Sequence, residues 1–313
     1  MISKLKSLKK PILKVSVSVI LLSLLFVSID KKSLAESFEK INVAYAPLII
    51  LLIVANYVVS SIRWRDLVSI YPNSDRVSLF YLVKLYFIGS FFNNFMPTSI
   101  GGDVYKIVRL GKKIDSKSHA FSATFMERFT GVIALAFISL LGFVVTLIKG
   151  IQGFESDFLV LGAACLIVLV GFAVGTLFGI KLLGLLKKKV TKLEKIYDSL
   201  IQYKNSRRIL VGAFLTSFIV QLCAIFTQYF ILVSLGSTVD VFRALFIFPL
   251  ITLASFFIPS LNGIGVQDFL YKFSNVFLMI GEPTAIAGSI LYHLFRLFVS
   301  MFGGLFYGID KSD

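Results

Sequence analysis

Residues 91–109 read FFNNFMPTSIGGDVYKIVR, and they interrupt an apolar run with residues that an ordinary spanning helix does not carry. Pro97 removes a backbone hydrogen-bond donor, and the glycines at positions 101 and 102 loosen a helix. An acidic residue, Asp103, follows the glycines directly. The stretch therefore predicts a broken helix held inside a membrane, where irregular backbone must be buried in protein or line a polar cavity.

The chain carries a second copy of this pattern at 256–272, which reads FFIPSLNGIGVQDFLYK. Both copies run from aromatic residues into Phe-x-Pro-[Thr/Ser]-x-x-Gly and end near an acidic residue. The matched positions are Phe95, Pro97, Thr98 and Gly101 in the first copy, and Phe257, Pro259, Ser260 and Gly263 in the second. A pair of such motifs is typical of a duplicated site built from discontinuous helices.

Composition places the chain among membrane proteins. Of its 313 residues, 57% are hydrophobic, whereas soluble domains are usually about 45–50% apolar. The net charge of +15 could suggest a nucleic-acid partner. However, the lysines lie in short clusters between apolar runs, which is typical of cytoplasmic membrane loops, so we expect no nucleic-acid binding.

Several apolar runs approach the ~20 residues that a helix needs to cross a bilayer. Six of them predict full spans, at about 13–29, 43–62, 119–148, 157–183, 209–235 and 284–308. The first could also be read as a signal peptide, but it is slightly long and charged residues precede the small ones, so we expect a retained helix. Two further apolar segments, 79–96 and 241–258, run directly into the broken motifs.

Charge bias then predicts the orientation of the chain. With both termini placed in the cytoplasm, 23 of the 32 basic residues fall inside and six fall outside. The strongest inside segment is 181–208, with nine Lys and Arg against two acidic residues. Because cytoplasmic loops carry an excess of Lys and Arg, this layout is favoured, and it predicts a multi-pass protein of the inner (cell) membrane.

The layout makes each broken segment start and end on one side of the membrane. Segment 79–117 would enter and leave on the inside, and segment 241–283 on the outside, so each predicts a re-entrant hairpin. The second half of the chain would then be inverted relative to the first, as in many secondary transporters. The alternative is that 79–96 and 104–120 are two ordinary spans.

The predicted fold class is therefore an all-α polytopic membrane protein with about six spans and two re-entrant hairpins. A first membrane repeat would occupy 1–180 and a second 209–313, with 157–183 also serving as the first helix of the second repeat. The basic segment 181–208 would link them as an amphipathic helix on the inner leaflet.

Charged residues inside spans are costly and mark candidate functional sites. Glu127 and Arg128 lie early in the span 119–148, and His293 and Arg296 share one face of the span 284–308. Arginine's planar fork suits bidentate binding of a phosphate group. We therefore predict that each half contributes one hairpin and one arginine to a shared cavity. The alternative for Glu127 is that it only neutralises a buried arginine.

The remaining candidate binding residues lie in the two motifs. Their amides, carboxylates and glycine backbone could face a polar cavity, cap the restarting helices or bind an anion. For the two acidic residues, helix capping is slightly favoured over a binding role. The set is Asn93, Asn94, Pro97, Thr98, Gly101, Gly102, Asp103, Pro259, Asn262, Gly263, Gly265 and Asp268.

The first motif, FFNNFMPTSIGGDVYKIVRLGKK, together with MERFTG at 126–131, resembles the lysylphosphatidylglycerol synthase transmembrane (flippase-like) family. IPSLNGIGVQDFLY resembles that family's second signature, although the family usually has Arg-Glu where this chain has Gln267-Asp268. The resemblance covers about residues 10–310. It implies a stand-alone inner-membrane flippase-like module without the soluble synthase domain that charges phosphatidylglycerol with lysine.

The leading functional prediction is a flippase-like protein that moves a lipid with a polar, phosphate-bearing headgroup between leaflets. An aminoacyl-phosphatidylglycerol or a related glycolipid would be its substrate, and a lipid-modifying enzyme could be its partner. The alternative is a membrane subunit or enzyme of envelope lipid or glycolipid synthesis, including lysyl transfer to phosphatidylglycerol. The sequence has no nucleotide loop, nucleophile elbow or metal-ligand cluster, so we expect no catalytic residue, metal or cofactor.

Overall fold

The computed structural model describes residues 18–25, 27–95, 101–149, 191–258, 260 and 262–309, with scattered positions between 160 and 185. The protein is all-α, as predicted. The principal helices are α1 (Lys31–Glu39), α2 (Ala46–Val68), α3 (Leu79–Phe95), α4 (Gly101–Lys113), α5 (Lys117–Ile148), α6 (Thr191–Ile201), α7 (Arg207–Ser234), α8 (Val241–Phe257), α9 (Val266–Leu278) and α10 (Glu282–Ile309).

Four helical stretches in the described part of the chain are long and apolar enough to cross a membrane: Val43–Val68, Lys117–Ile148, Arg207–Ser234 and Glu282–Ile309. They coincide with four of the six predicted spans. The predicted span 13–29 lies partly outside the described residues, and its positions 18–25, 27 and 28 are helical. Most of the predicted span 157–183 also lies outside them.

Helices α2 and α7 pack side by side and run in opposite directions. The Asn56 side chain donates to the Val220 carbonyl at 2.7 Å. Further along, Tyr203, just before α7, donates its hydroxyl to the Leu67 carbonyl at 2.7 Å. The residue numbers rise along α2 as they fall along α7, so these two long helices are antiparallel.

Helices α3 and α4 form a hairpin whose two arms touch along their length. Tyr81, near the start of α3, donates to the carbonyl of Arg109, near the end of α4, at 3.2 Å. At the closed end, a Cβ on Gly102 would lie 1.9 Å from the Gly89 carbonyl oxygen, so only glycine permits this approach. Residues 96–100, which connect the arms, lie outside the described residues.

Helices α8 and α9 form a second hairpin of the same kind. At its open end, Arg243 donates to the Phe277 carbonyl at 2.9 Å. At its closed end, the Gln267 amide donates to the Ser255 hydroxyl at 3.1 Å. The turn before α9 places Gly265 at φ +83°, a left-handed conformation that favours glycine.

The two hairpins open at opposite ends of the bundle, and the long helix α5 marks both ends. Its first turn carries His119, which stacks on Tyr71 at 4.4 Å beside the open end of the first hairpin. After its last turn, Lys149 lies 3.8 Å above the Phe242 ring at the open end of the second hairpin. The closed ends of both hairpins therefore point towards the middle of the molecule.

Each hairpin also packs on the last long helix of the other half. A Cβ on Gly142 of α5 would lie 2.7 Å from the Phe246 amide nitrogen of α8, beside the hydrogen bond from the Ser139 hydroxyl to the Phe246 carbonyl. In the same way, a Cβ on Gly303 of α10 would lie 2.0 Å from the Phe87 carbonyl oxygen of α3. Each half of the chain therefore packs its hairpin on a long helix of the other half through the same kind of close contact.

The basic segment between the halves forms α6 and a short 3-10 turn, Gln202–Asn205. The Tyr71 hydroxyl donates to the Ser199 carbonyl at 2.9 Å, so the segment is docked at the end of the bundle where the first hairpin opens. Burial raises the pKa of Tyr71 to about 12, so this hydroxyl stays protonated even near pH 10, where an unburied tyrosine begins to titrate.

Candidate functional site

A cavity of about 360 Å³ lies between the closed ends of the two hairpins. The four long helices α2, α5, α7 and α10 contribute to its wall, as do both arms of both hairpins. This volume is near the lower end of the roughly 300–1,000 Å³ of typical small-molecule pockets. The cavity can therefore hold a headgroup, with no room for a whole lipid.

The wall of this cavity carries a surplus of positive charge. Its basic residues are Arg63, Lys106, Arg128 and Arg296, and its acidic residues are Asp103 and Glu127. Four cations against two carboxylates leave a formal charge of +2. Such a surplus on the wall of a cleft between low-dielectric helices favours an anionic ligand.

Glu127 is the centre of a buried ion-pair network. Its side chain is 5% exposed, and each of its two oxygens has a cationic partner. Arg63 Nη2 donates to Oε1 at 2.9 Å, and Lys106 Nζ donates to Oε2 at 3.3 Å. Arg63 also donates to the Ser217 hydroxyl of α7 at 2.8 Å, so the network fixes α2, α4, α5 and α7 to one another.

Asp103 extends the network to Arg128. The Arg128 guanidinium donates to Asp103 Oδ2 through Nε and Nη2, and Lys106 Nζ lies 3.8 Å from Oδ1. The Lys106 ammonium also lies 3.6 Å from the centre of the Tyr86 ring, which stabilises its buried charge. The Arg128 side chain remains 41% exposed, so part of its donor surface is open.

A chain of amides joins the two hairpins beside Arg296. Arg296 Nη2 donates to Asn262 Oδ1 at 3.3 Å, and the Asn262 amide donates to Asn94 Oδ1. Asn94 in turn donates to the Ser300 hydroxyl at 2.6 Å. The closed ends of both hairpins are therefore connected through side chains beside Arg296.

The two acidic residues of the motifs have different roles. Asp268 accepts from the Gly265 amide at 2.8 Å, which is the predicted helix cap. It also accepts from Ser289 and lies 3.4 Å from His293 Nε2. At the start of α4, Asn93 accepts from the Gly102 amide at 2.8 Å and Asp103 pairs with Lys106 and Arg128. The residues that precede this helix lie outside the described residues, so the predicted capping role of Asp103 stays a prediction.

The structure brings the predicted residues of both halves together around one cavity. Those on its wall are Asn93, Asp103, Glu127, Arg128 and Arg296. Other predicted residues lie in the surrounding hairpin turns and ion pairs: Asn94, Gly101, Gly102, Asn262, Gly263, Gly265, Asp268 and His293. Pro97, Thr98 and Pro259 lie outside the described residues. Gln267, where the family signature usually has arginine, also lines the cavity.

Two buried cations of the site were not predicted. The sequence pattern places Arg63 and Lys106 among the basic residues on the inside, because the predicted span ends at residue 62 and the predicted apolar segment of the first hairpin ends at residue 96. The helix α2 instead continues to Val68, and Arg63 is 5% exposed. The helix α4 likewise carries Lys106 inwards, where it is 4% exposed. Extending the predicted span by one turn would have included Arg63, whereas Lys106 lies ten residues beyond the predicted apolar segment 79–96, in the second arm of the hairpin.

The described residues hold no group of three or more metal-ligating side chains. The fold and the site together define a multi-pass α-helical membrane protein with a cationic cavity between two broken-helix hairpins.

The chain belongs to the family described as the lysylphosphatidylglycerol synthase TM region, whose model matches residues 12–304. It is also similar to the UPF0104 membrane protein PH1989 of Pyrococcus horikoshii, with 22% identity over 309 residues and with 88% of each chain covered. No solved structure matches it.

Proposed function

We propose that this protein translocates a lipid with a phosphate-bearing headgroup between the two leaflets of a cell membrane. The observation that carries the proposal is the cavity of formal charge +2, with Arg128 from one half and Arg296 from the other on its wall. The guanidinium groups bind the phosphate, and the acyl chains stay in the lipid. The family to which the chain belongs supports a lipid substrate.

The arrangement of the hairpins supports an alternating-access mechanism. The hairpins open at opposite ends of the bundle and close on the same cavity, as expected for two inverted repeats around a fixed site. Movement of one hairpin relative to the other would open the cavity to one leaflet at a time.

The distribution of charge supports a cytoplasmic location for the open end of the first hairpin. Basic residues such as Lys112, Lys113, Arg207 and Arg208 lie in helices at this end. By the positive-inside rule, it faces the cytoplasm of an inner membrane, with both termini on that side. Its partners are then membrane lipids and, in the cell, an enzyme that makes or modifies the translocated lipid.

The proposal is tested by measuring the leaflet accessibility of labelled phosphatidylglycerol in proteoliposomes. Because Arg128 and Arg296 supply the open guanidinium groups of the cavity, we expect Arg128→Ala and Arg296→Ala each to slow translocation at least about tenfold. Arg76→Ala is the matched control, because Arg76 pairs with Asp115 at an exposed site outside the cavity. Wild-type rates in both cavity variants would contradict the site assignment.

A further inference from the structure

We propose that the cavity selects a lipid headgroup that bears phosphate and no ammonium group, and that it prefers two negative charges to one. This inference deepens the proposed function and rests on it. It concerns the class of substrate, because aminoacylated and zwitterionic lipids carry ammonium groups whereas phosphatidic acid and other phosphomonoester lipids do not.

The acidic residues of the cavity are already paired with cations. Glu127 has Arg63 on one oxygen and Lys106 on the other, at 2.9 and 3.3 Å. Asp103 accepts from Arg128, and Lys106 lies near its second oxygen. Both carboxylates are at least nine-tenths buried within these pairs. An ammonium group entering the cavity would therefore find no free carboxylate to neutralise it.

The charge of the cavity that no partner neutralises is positive and lies at its wall. Within the described part of the chain, the structure places no carboxylate at ion-pair distance from Arg296. Its contacts are the neutral oxygen of Asn262 at 3.3 Å and the Tyr292 ring at 5.1 Å. Arg128 keeps 41% of its side chain exposed despite its pair with Asp103. These two guanidinium groups supply open donors for an anion.

The charge of the lipid headgroup must match the cavity charge of +2. A phosphomonoester carries roughly −1.5 to −2 near neutral pH, and a phosphodiester carries about −1. A lysyl ester of phosphatidylglycerol adds two ammonium groups to one phosphate and is cationic overall. Like charges brought together in a desolvated site are strongly unfavourable, so the cavity rejects that headgroup and neutralises a dianion best.

The test measures both binding and translocation with one set of lipids. Purified protein in detergent is titrated with fluorescent phosphatidic acid, and unlabelled phosphatidic acid, phosphatidylglycerol, phosphatidylethanolamine and lysyl-phosphatidylglycerol compete for it. The expected order of affinity follows negative charge, with at least about tenfold between phosphatidic acid and either ammonium lipid. The translocation rates of labelled forms of the four lipids, measured by leaflet accessibility in proteoliposomes, should follow the same order.

Arg296→Glu tests the electrostatic origin of this preference. This substitution removes the cavity's positive surplus and leaves the buried pairs around Glu127 in place. We therefore expect the ratio of the affinities for phosphatidic acid and phosphatidylethanolamine to fall towards one. Arg76→Glu, at the exposed pair with Asp115, should leave the ratio unchanged. An unchanged ratio in Arg296→Glu would overturn the assignment of selectivity to this cavity.

The possible results separate the inference from the proposed function. Equal binding and movement of all four lipids, or preference for an ammonium lipid, would overturn the inference and leave translocation standing. Preferential binding of phosphatidic acid without movement of any lipid would support the inference and overturn translocation. Uptake of radiolabelled glycerol phosphate into the vesicles, with no preference among the lipids, would show a soluble phosphate substrate and overturn the lipid source.

Discussion

Glu127 holds together four helices that the chain reaches at widely separated positions. Its partners Arg63 and Lys106 are both buried, so removing the carboxylate leaves two cations without a counter-charge. Breaking a buried pair from one side typically costs about 3–5 kcal/mol. We therefore expect Glu127→Gln to lower the free energy of unfolding by about that amount, measured by chemical unfolding in detergent.

The matched control for Glu127→Gln is Asp115→Asn. Asp115 pairs with Arg76 at 2.8 Å, but both side chains are more than half exposed. Exposed ion pairs contribute about 0–1 kcal/mol, so this variant should unfold nearly as the wild type does. Equal stability of the two variants would show that the buried network does not fix the helices.

Gly102 lets the arms of the first hairpin meet at their closed end. A Cβ there would lie 1.9 Å from the Gly89 carbonyl oxygen, which is a steric overlap. Because the overlapping atoms belong to backbone, the overlap is relieved only if the two arms move apart. We expect Gly102→Ala to destabilise the protein by about 1–3 kcal/mol, as for other overpacked sites, and to slow lipid movement. Thermal unfolding in detergent and the proteoliposome assay measure the two effects.

Gly212 provides the control for Gly102, because a Cβ there meets no atom within 4 Å. Gly212 lies inside α7, where alanine is favoured over glycine by roughly 0.5–1 kcal/mol. Gly212→Ala should therefore keep or slightly raise stability. Loss of stability in Gly212→Ala equal to that in Gly102→Ala would mean that the close approach of α3 and α4 is not the cause.

At the scale of elements, the linker between the halves is held to the bundle by tyrosine hydroxyl groups. Tyr203 is 2% exposed and donates to the Leu67 carbonyl at 2.7 Å. Tyr203→Phe leaves that buried carbonyl without its donor, and we expect a loss of about 1–3 kcal/mol together with faster proteolysis of α6. Limited proteolysis in detergent measures the release of this element.

Tyr45→Phe is the control for the linker variant. In the described part of the chain, Tyr45 stacks on Phe230 at 6.2 Å and its hydroxyl makes no hydrogen bond. Removing that hydroxyl should leave both stability and proteolysis unchanged. If Tyr203→Phe also cleaves at the wild-type rate, the linker is held by its apolar packing and not by the hydroxyl.

The sequence predicts elements well where one local feature decides them. Pro97 and the glycines that follow it predicted the break between α3 and α4, and apolar length predicted α2, α5, α7 and α10. Local features do not show which charged residues are buried. Arg63 follows an apolar run and reads as a loop residue, because only its contact with Glu127, 64 residues away in sequence, shows that the helix continues inwards.

At the scale of the whole molecule, the sequence predicted that Arg128 and Arg296 would share a cavity. It did so because the second motif repeats the first and each precedes an arginine on a long helix. It did not predict how the halves exchange contacts, since α3 packs on α10 and α8 on α5 through close backbone approaches. Helix pairing of this kind depends on three-dimensional shape, which no local pattern encodes.

The central claim is that the two hairpins enter the membrane from opposite faces and meet at one cavity. Its most direct measurement is the labelling of single cysteines at the two open ends, in cells that express a variant with Cys165 and Cys223 replaced by alanine. Asp115→Cys lies at the exposed open end of the first hairpin, and Gly281→Cys lies just beyond the second. A membrane-impermeant maleimide should label residue 281 in intact cells and residue 115 only after permeabilisation. Labelling of both residues in intact cells, or of neither, would contradict the claim.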